Sequence, residues 1–428
     1  MIDTPATAGP PGLARRPFYG WKLLAVFWVI LLANLGFPMY GGAFLNSAMA
    51  AELHFSRQTL GLPFSVFLGT VGLSSPLVAV LIRRIGVRLT LVLGNVSVAL
   101  GALAMGTVVT TGVAAIIVFG LVIGFGVAAG GNLTAQTAIP RWFIRRRSLA
   151  FAIMLTAAAT GGFIAPPFLN AIIGGADENW AVGWLVLAAI ATSAAFLAGV
   201  FVRESPEEVG QAPDGDNGLV TGAAAAATSL AAQSVPLREA ARTLRFWMLV
   251  LASSAATGSF GLILAHGVAN ARDAGSTGGE AAFALALVSL LGFGGKAIAG
   301  SAGDRMGPAT VWGTLMIVMA FGLGVLAWSA SKWGIYFGAA SLGLGFGGVV
   351  VCQPATIAKL FGAHHFAPIA STIYFLQAIA GILVPWIAGR TFDRLNTYAP
   401  GFFGASLACL AAGALLLFLL RHPAKADR

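Results

Sequence analysis

Charged side chains are scarce in this sequence. Asp, Glu, Lys and Arg make up only 9% of its 428 residues, whereas soluble globular domains carry roughly 25%. Cysteine is also rare, and because Cys352 and Cys409 both lie in apolar stretches, no disulfide framework is expected. Since hydrophobic residues account for 58% of the chain, these absences exclude a soluble globular protein and a small disulfide-stabilised one.

Motifs of enzymes and of nucleotide-driven pumps are missing as well. The sequence has no H-E-x-x-H zinc motif and no G-x-x-x-x-G-K-[ST] phosphate loop. No Asp or Glu lies inside an apolar run, so paired carboxylates for acid–base catalysis are missing there. We therefore expect the protein not to be an enzyme, and we expect no cofactor and no metal site.

Long apolar runs are what the sequence has in abundance. Twelve runs are close to or longer than the ~20 residues that cross a hydrocarbon core of about 30 Å, and such spans must be helical. The runs cover residues 20–45, 58–82, 89–111, 114–138, 149–173, 180–202, 246–268, 281–303, 309–328, 334–358, 366–390 and 401–420. Residues 1–19 lack the apolar core of a signal peptide, so the first run is expected to stay as a membrane helix. The prediction is an all-α membrane protein with twelve transmembrane helices.

Basic residues are distributed unevenly between the loops. When the chain is threaded from a cytoplasmic N-terminus, 19 of its 25 Lys and Arg residues lie on the cytoplasmic side and five on the other. The remaining one, Lys296, lies within a span. This is the positive-inside pattern, which predicts that both termini are cytoplasmic. It also accounts for the net charge of +10 without a nucleic-acid partner.

A polar segment, residues 203–240, separates the sixth and seventh runs. We interpret it as a mostly flexible cytoplasmic linker with a short helix over residues 236–245. It divides the chain into an N-terminal six-helix half, 1–202, and a C-terminal half, 241–428. Landmarks recur in both halves: Gly86 and Gly307 are 221 residues apart, and Pro166 and Pro385 are 219 apart. The pattern predicts a duplicated six-helix unit with two pseudo-symmetric halves.

Several motifs carry a family resemblance. Residues 300–307, GSAGDRMG, resemble the G-x-x-x-D-R-x-G loop of the major facilitator superfamily. Residues 142–153, WFIRRRSLAFAI, resemble the fifth-helix signature of its monocarboxylate porter branch, and FYGWK and LREAARTLRFWML look like bacterial monocarboxylate porters and oxalate–formate antiporters. The resemblance covers nearly the whole chain except the linker. It implies the major facilitator fold, transport by alternating access, a central path lined by helices 1, 4, 7 and 10, and a location in the plasma (inner) membrane.

The resemblance also implies a cytoplasmic gate, although the sequence departs from the family pattern at several positions. The family signature assigns the gate to Arg84, Arg145, Asp304 and Arg305. Arg83 stands where the family usually has aspartate, and Gly292 replaces the aspartate that lies four residues before the eighth-helix cation in animal porters. Helix 11 has no lysine like that of oxalate exchangers, so a doubly charged substrate is not expected.

Lys296 lies inside the apolar stretch 289–307, SLLGFGGKAIAGSAGDRMG. A charge near the membrane centre costs about 2.5–3.5 kcal/mol on insertion scales. Its stem could snorkel toward the cytoplasmic interface, it could form a structural ion pair, or it could bind an external anion. No acid shares its span, and the flanking glycines would let a helix approach or open a cavity beside it. We expect Lys296 to bind a substrate carboxylate. Because a bound carboxylate favours the charged amine, binding and protonation would be coupled.

Other polar side chains at a similar depth are candidates for orienting the substrate, with interhelical hydrogen bonding as the alternative for each. They are Asn34, Tyr40, Asn132, Gln136, Gln353, Tyr374 and Gln377. Asn132 is the preferred second contact because it lies about as far toward the cytoplasmic side as Lys296. His266, near the outer end of helix 7, is a candidate for proton coupling, with a solvated or capping role as the alternative.

The function predicted from these observations is secondary active transport of small organic monocarboxylates such as lactate or pyruvate, by proton symport or anion exchange. One cation suits a monoanion, and a cavity lined by Phe, Leu and Ala suits a short apolar acid. The alternatives are a carrier of another solute, such as a drug or amphipathic compound, and a membrane sensor that keeps the fold without transporting. Membrane lipids are expected partners. One chain contains both halves, so we expect a functional monomer.

Overall fold

Twelve long helices make up most of the part of the chain that the structure describes. The computed structural model describes residues 17–53, 57–173, 179–215 and 234–421, and no strand occurs among them. The helices are α1 (Tyr19–Asn46), α2 (57–85), α3 (87–107), α4 (Gly112–Trp142), α5 (Arg147–Ile173), α6 (Trp180–Phe201), α7 (Leu244–Asp273), α8 (Gly278–Met306), α9 (Pro308–Trp328), α10 (Lys332–Phe361), α11 (Phe366–Leu395) and α12 (Ala399–Arg421). The predicted all-α fold of twelve spans is confirmed.

Gly86 separates the second and third spans. Among the described residues, eleven helices are long and apolar enough to cross a membrane. The count is eleven because one continuous helix, Ser75–Thr107, includes both the end of α2 and all of α3. Within it Gly86 has φ +82° and ψ 173°, which is not helical. Before it, the helix that begins at Arg57 continues through Ser74, whose carbonyl accepts a hydrogen bond from the Val78 amide at 3.0 Å. The long helix is therefore the end of α2 followed by α3.

The two glycines of the predicted repeat take the same conformation. Gly307, between α8 and α9, has φ +89°, close to the φ of Gly86 between α2 and α3. A side chain is disfavoured at positive φ because its Cβ crowds the backbone. Both glycines thus allow the chain to reverse direction sharply between two spans.

Packing is most extensive within the first six and within the last six helices. In the first set α3 packs on α6, and in the second α8 and α9 both pack on α10 while α7 packs on α11. Contacts between the two sets run mainly from α5 to α8 and from α2 to α11. We call the side that carries residue 17, the loop 143–146, Gly307, residues 362–365 and Arg421 the basic face.

The first part of the linker is ordered against the basic face. The Glu204 carboxylate accepts hydrogen bonds from the amides of Val87 (3.0 Å) and Arg88 (2.8 Å) at the start of α3. The Gln211 side-chain oxygen accepts one from the Tyr19 amide at 2.8 Å. The prediction of a mostly flexible linker is therefore wrong for 203–215, because its polar groups satisfy exposed helix ends. Residues 216–233 lie outside the described residues, and the predicted helix over 236–245 is limited to Leu237–Ala240 before α7 begins.

Candidate functional site

Lys296 points toward the membrane interior and away from the basic face. It lies ten residues before Met306 on α8, about 15 Å from that helix end. Its Nζ atom donates a long hydrogen bond (3.5 Å) to the carbonyl of Gly292, one turn farther from the basic face. The same atom lies 5.5 Å from the centre of the Phe293 ring, which contacts Phe163 of α5. The ammonium group does not snorkel to the basic face in this structure.

No carboxylate pairs with Lys296 among the described residues. The acid nearest along α8 is Asp304, which binds backbone amides of α5 instead. The lysine is half-buried, and a cation away from water is costly unless it is paired. A cation–π contact with Phe293 compensates only in part, by about 0.5–2 kcal/mol. The amine is thus an incompletely satisfied charge that can bind an anion.

The glycines around Lys296 hold α8 against α10. A Cβ added at Gly295 would lie 2.0 Å from the Leu344 carbonyl oxygen, and one at Gly347 would lie 2.1 Å from that of Gly292. The sequence left open whether the glycines beside Lys296 let a helix approach or open a cavity. On this face of α8 they let α10 approach closely. Lys296 instead shares a stripe with Phe293 and Gly300, the residues three before and four after it, and both of those residues meet α5.

A chain of polar side chains crosses the C-terminal helices at nearly the same depth. The Gln353 amide nitrogen on α10 donates to Ser253 Oγ of α7 at 2.8 Å and to Gln377 Oε1 of α11 at 2.6 Å. Gln353 lies eight residues, and Lys296 ten, from the basic end of its helix. The sequence identified both glutamines but not Ser253, because a serine in a helix commonly bonds its own backbone.

Tyr374 connects α11 to α4 across the two sets of helices. Its hydroxyl donates to Gln136 Oε1 at 2.5 Å, and Gln136 is only 3% exposed. The two residues are 238 positions apart. The structure thus brings together two of the predicted substrate contacts, and in this conformation each is occupied by the other.

Replacing Tyr374 with phenylalanine is expected to destabilise this conformation by roughly 1–3 kcal/mol, because the buried Gln136 oxygen would lose its donor. Tyr374→Phe combined with Gln136→Leu should recover part of the loss, because both polar partners are then removed. Thermal unfolding of the two single variants and the double variant measures this coupling. If the change in unfolding temperature of the double variant equals the sum of the changes in the two single variants, the hydrogen bond contributes nothing to stability.

The remaining polar candidates near the path have different surroundings. Asn34 is 0% exposed and its amide nitrogen donates to Asn95 Oδ1 at 3.2 Å, inside the first six helices. In this conformation the Asn34 side chain is therefore enclosed by protein. Tyr40 is 37% exposed and packs on Gly162 of α5. Asn132 is half-buried, and its Oδ1 atom is buried without a hydrogen-bond partner.

His266 lies far from Lys296 in depth. It is 22 residues from the start of α7, about 33 Å from the basic face, whereas Lys296 is about 15 Å from it. Its Nε2 atom lies 3.0 Å from the Pro385 carbonyl, and its ring lies 4.9 Å from that of Tyr398. Because a carbonyl only accepts, Nε2 carries the hydrogen. Since Pro385 lies inside α11, this contact is a hydrogen bond between two helices.

The gate candidates lie at the basic face, where acids bind helix ends. Asp304 accepts hydrogen bonds from the amides of Ser148 (2.7 Å) and Leu149 (3.1 Å), so a carboxylate of α8 sits on the N-terminus of α5. Arg145 pairs with Asp214 at 3.7 Å. Arg84 and Arg305 are exposed and have no ion pair with another described residue.

Sequence reasoning missed Glu204 and Asp214 as part of this face. Asp214 accepts hydrogen bonds from the amides of Ile144 and Arg145, in addition to its ion pair. Glu204 also pairs with Arg141 at 3.6 Å. The amides that these two acids bind are 69 to 117 residues away along the chain, so no local pattern pointed to the contacts, and the polar Gly- and Pro-containing composition favoured a flexible segment.

A cleft of about 460 Å³ opens on the basic face beside α1. It is lined by Phe18, Trp21, Phe143, Arg145, Arg146 and Asp214. Aromatic rings and basic groups of this kind are common at the headgroup level of membranes. No group of three or more His, Cys, Asp or Glu side chains suited to a metal occurs in the described ranges.

Comparison with known proteins relates this arrangement to transporters. Residues 26–385 match the family model described as Major Facilitator Superfamily. The uncharacterized MFS-type transporter YcxA of Bacillus subtilis (strain 168) is 23% identical over 397 residues, 87% of this chain and 90% of the relative.

Solved structures show the same fold at low identity. The proton:xylose symporter XylE, bound to 6-bromo-6-deoxy-D-glucose, superposes with a TM-score of 0.71 at 15% identity, over 94% of this chain and 95% of its own. The human organic anion transporter MFSD10 (TETRAN) gives 0.68 at 17% identity, over 94% of this chain and 100% of its own.

Proposed function

Since the chain belongs to the major facilitator superfamily and is a multi-pass membrane transporter of that family, we propose that its cargo is a small organic monocarboxylate such as lactate or pyruvate. The observation that carries this proposal is Lys296, a cation about 15 Å from the basic end of the apolar helix α8 without a carboxylate partner among the described residues. One positive charge balances one carboxylate. The apolar remainder of a short acid would lie near Phe293 and Phe163.

The proposed site lies between two six-helix halves, residues 1–202 and 241–428. In this conformation the contacts between them join the helices from the basic face to about the membrane middle: Asp304 with α5, Phe151 with Phe366 at 6.4 Å, and Tyr374 with Gln136. Ion pairs and hydrogen bonds near the opposite face, such as Glu280 with Lys332, stay within one half. We assign the conformation as closed at the basic face, and we propose that this face is cytoplasmic, by the positive-inside rule.

Transport then requires the contacts at the basic face to break. Two contacts would break: the one between Tyr374 and Gln136, and the one between Asp304 and α5. Lys296 and the Gln353–Gln377 pair would then be exposed to the solution at the basic face. Protonation of Lys296 when the acid binds would give symport, and exchange of one bound acid for another would give antiport. His266, bonded to Pro385 about 18 Å farther along the membrane normal, has no part in the proposed step.

Replacing Asp304 with asparagine is expected to shift the equilibrium toward opening at the basic face. The change removes a negative charge from the N-terminus of α5, an interaction worth about 0.3–1 kcal/mol and more when partly buried. A shift of about 1 kcal/mol changes the population ratio roughly fivefold. A cysteine introduced at Leu149 should then react faster with maleimide, against a low background, because Cys352 and Cys409 are buried.

The matched control is Asp393→Asn, which removes an exposed carboxylate near the opposite face. It should leave the labelling rate at Leu149→Cys unchanged. Equal labelling rates in the Asp304 variant and the wild type would remove Asp304 from the gate.

The cargo is tested by uptake into liposomes that contain the purified protein. Labelled lactate and pyruvate should accumulate faster than formate, and oxalate should not be transported because it carries two charges. Uptake driven by an imposed pH gradient indicates symport, and uptake that requires unlabelled acid on the other side indicates exchange. If none of the four acids enters above the rate of protein-free liposomes, the monocarboxylate proposal is wrong and another solute or a sensor role must be considered.

A further inference from the structure

The cleft on the basic face is built where α1, the loop between α4 and α5, and the linker meet. Its volume of about 460 Å³ is within the roughly 300–1,000 Å³ of small-molecule sites. One wall is aromatic, since the Phe143 ring lies edge-on to those of Trp21, at 5.1 Å, and Phe18, at 5.5 Å. Because Phe143 is only 1% exposed, packing fixes this wall in place.

The linker supplies the acid that borders the cleft. Asp214 has φ +59°, a conformation that aspartate tolerates better than most residues. Its carboxylate accepts hydrogen bonds from the amides of Ile144 (3.2 Å) and Arg145 (3.0 Å), and it pairs with the Arg145 guanidinium at 3.7 Å. The Asp214 side chain is only 10% exposed. Its negative charge is therefore already shared with the loop between α4 and α5.

Arg146 gives the cleft its excess of positive charge. The lining has two arginines, Arg145 and Arg146, and one aspartate, Asp214. The Arg146 side chain is exposed, and its guanidinium has no hydrogen bond or ion pair with another residue in the part of the chain that the structure describes. A guanidinium binds a phosphate group through two parallel hydrogen bonds. The cleft is therefore suited to one singly charged phosphodiester.

Exposed apolar side chains next to the cleft favour a lipid over a soluble phosphate. Trp21, Ala25 and Val29 are all exposed, and their spacing of four residues places them along one face of α1. Ile144, in the loop that carries Arg146, is 43% exposed. A soluble phosphate would leave this apolar stripe uncovered. A phospholipid would place its headgroup in the cleft and an acyl chain along α1, with Trp21 at the level where membrane tryptophans are enriched.

We propose that this cleft binds one anionic phospholipid of the phosphatidylglycerol type, with its phosphate on Arg146 and an acyl chain along the exposed face of α1. A zwitterionic headgroup carries a cation of its own, which the two arginines of the cleft repel. Basic clefts of membrane proteins on the cytoplasmic side suit acidic headgroups for the same reason. The site is separate from Lys296, which lies about 15 Å from the basic end of α8.

Native mass spectrometry of the delipidated full chain in detergent tests the site. One phosphatidylglycerol molecule should bind with at least tenfold higher affinity than phosphatidylcholine with the same acyl chains. Arg146→Ala should weaken phosphatidylglycerol binding at least tenfold and leave phosphatidylcholine binding unchanged. Arg146→Lys should keep part of the affinity, because the charge remains without the planar fork. Because Arg146 is exposed, we expect these variants to unfold at the wild-type temperature in lipid-free detergent.

The matched control is Arg238→Ala. Arg238 is exposed in the short helix before α7 and does not line the cleft, so this change removes the same charge from the same side of the protein. It should leave phosphatidylglycerol binding at the wild-type level. A second control adds inorganic phosphate in place of lipid, and it should not raise the unfolding temperature.

Three outcomes overturn the proposal. Unchanged phosphatidylglycerol binding in Arg146→Ala would place the lipid elsewhere. Equal losses in Arg146→Ala and Arg238→Ala would show a general attraction to the basic face without a site. Stabilisation by inorganic phosphate that depends on Arg146, without a preference for phosphatidylglycerol, would assign the cleft to a soluble anion. None of these results bears on the proposed cargo, because no transported acid is present.

Discussion

Lys296→Ala is expected to reduce monocarboxylate uptake to the level of protein-free liposomes. Removing one partner of a buried charge pair costs about 2–5 kcal/mol, which corresponds to a loss of roughly 30-fold or more in apparent affinity. Lys296→Arg should keep part of the activity, because the charge remains while the longer, planar guanidinium fits the carboxylate differently. The measurement is initial uptake over a range of acid concentrations, with protein content and orientation matched.

The control for this change is Lys332→Ala. Lys332 is half exposed and pairs with Glu280 at 3.6 Å near the opposite face, and exposed pairs contribute about 0–1 kcal/mol. Its removal should leave uptake unchanged. If Lys296→Ala transports as well as the wild type, the lysine has no role in binding and the carboxylate assignment fails with it.

Gly295→Ala is expected to disrupt the contact between α8 and α10 that supports Lys296. The new Cβ would lie 2.0 Å from the Leu344 carbonyl oxygen and 2.8 Å from the Gly348 nitrogen. Both are backbone atoms, so the helices must separate. Overpacking of this kind costs typically 1–3 kcal/mol, and we expect a lower unfolding temperature together with slower uptake, because Lys296 moves with α8.

Gly294→Ala is the matched control, one residue away on the same helix. Its Cβ would meet only the Leu344 side chain, at 3.5 Å. This substitution should be neutral or stabilising by up to about 1 kcal/mol, because alanine loses less backbone entropy in a helix than glycine. Equal unfolding temperatures for the two variants would show that α8 and α10 are not in close contact in the membrane.

Much of the fold could be read from the sequence because the bilayer restricts the possibilities. A span must be apolar, helical and near 20 residues long, so all twelve helices were predicted with small differences at their ends. The spacing of Gly86 and Gly307 also anticipated two matching turns, since both have positive φ. The linker was misjudged because its composition is typical of flexible segments, whereas Glu204 and Asp214 bind amides that are distant in sequence.

The sequence could also place the candidate residues in depth but not say what they touch. Counting along each helix puts Lys296, Gln353 and Tyr374 at a similar level. It gave no sign that Tyr374 bonds to Gln136 or that Asn34 turns inward to Asn95. Such contacts depend on how the helices are rotated and how closely they approach. The sequence does not reveal the rotation, because the lipid-facing and protein-facing sides of a membrane helix are both apolar.

By itself, the sequence determined that this protein crosses the membrane twelve times and carries one lysine among apolar residues in a span, because both follow from the energetic cost of polar groups in lipid. The tertiary structure decided which of those polar groups are satisfied. It turned the Lys296 amine away from the basic face, occupied Gln136 with Tyr374 and left the Asn34 oxygen without a donor. Hydrogen bonds require atoms within about 3 Å, and only the packing of distant helices brings them that close.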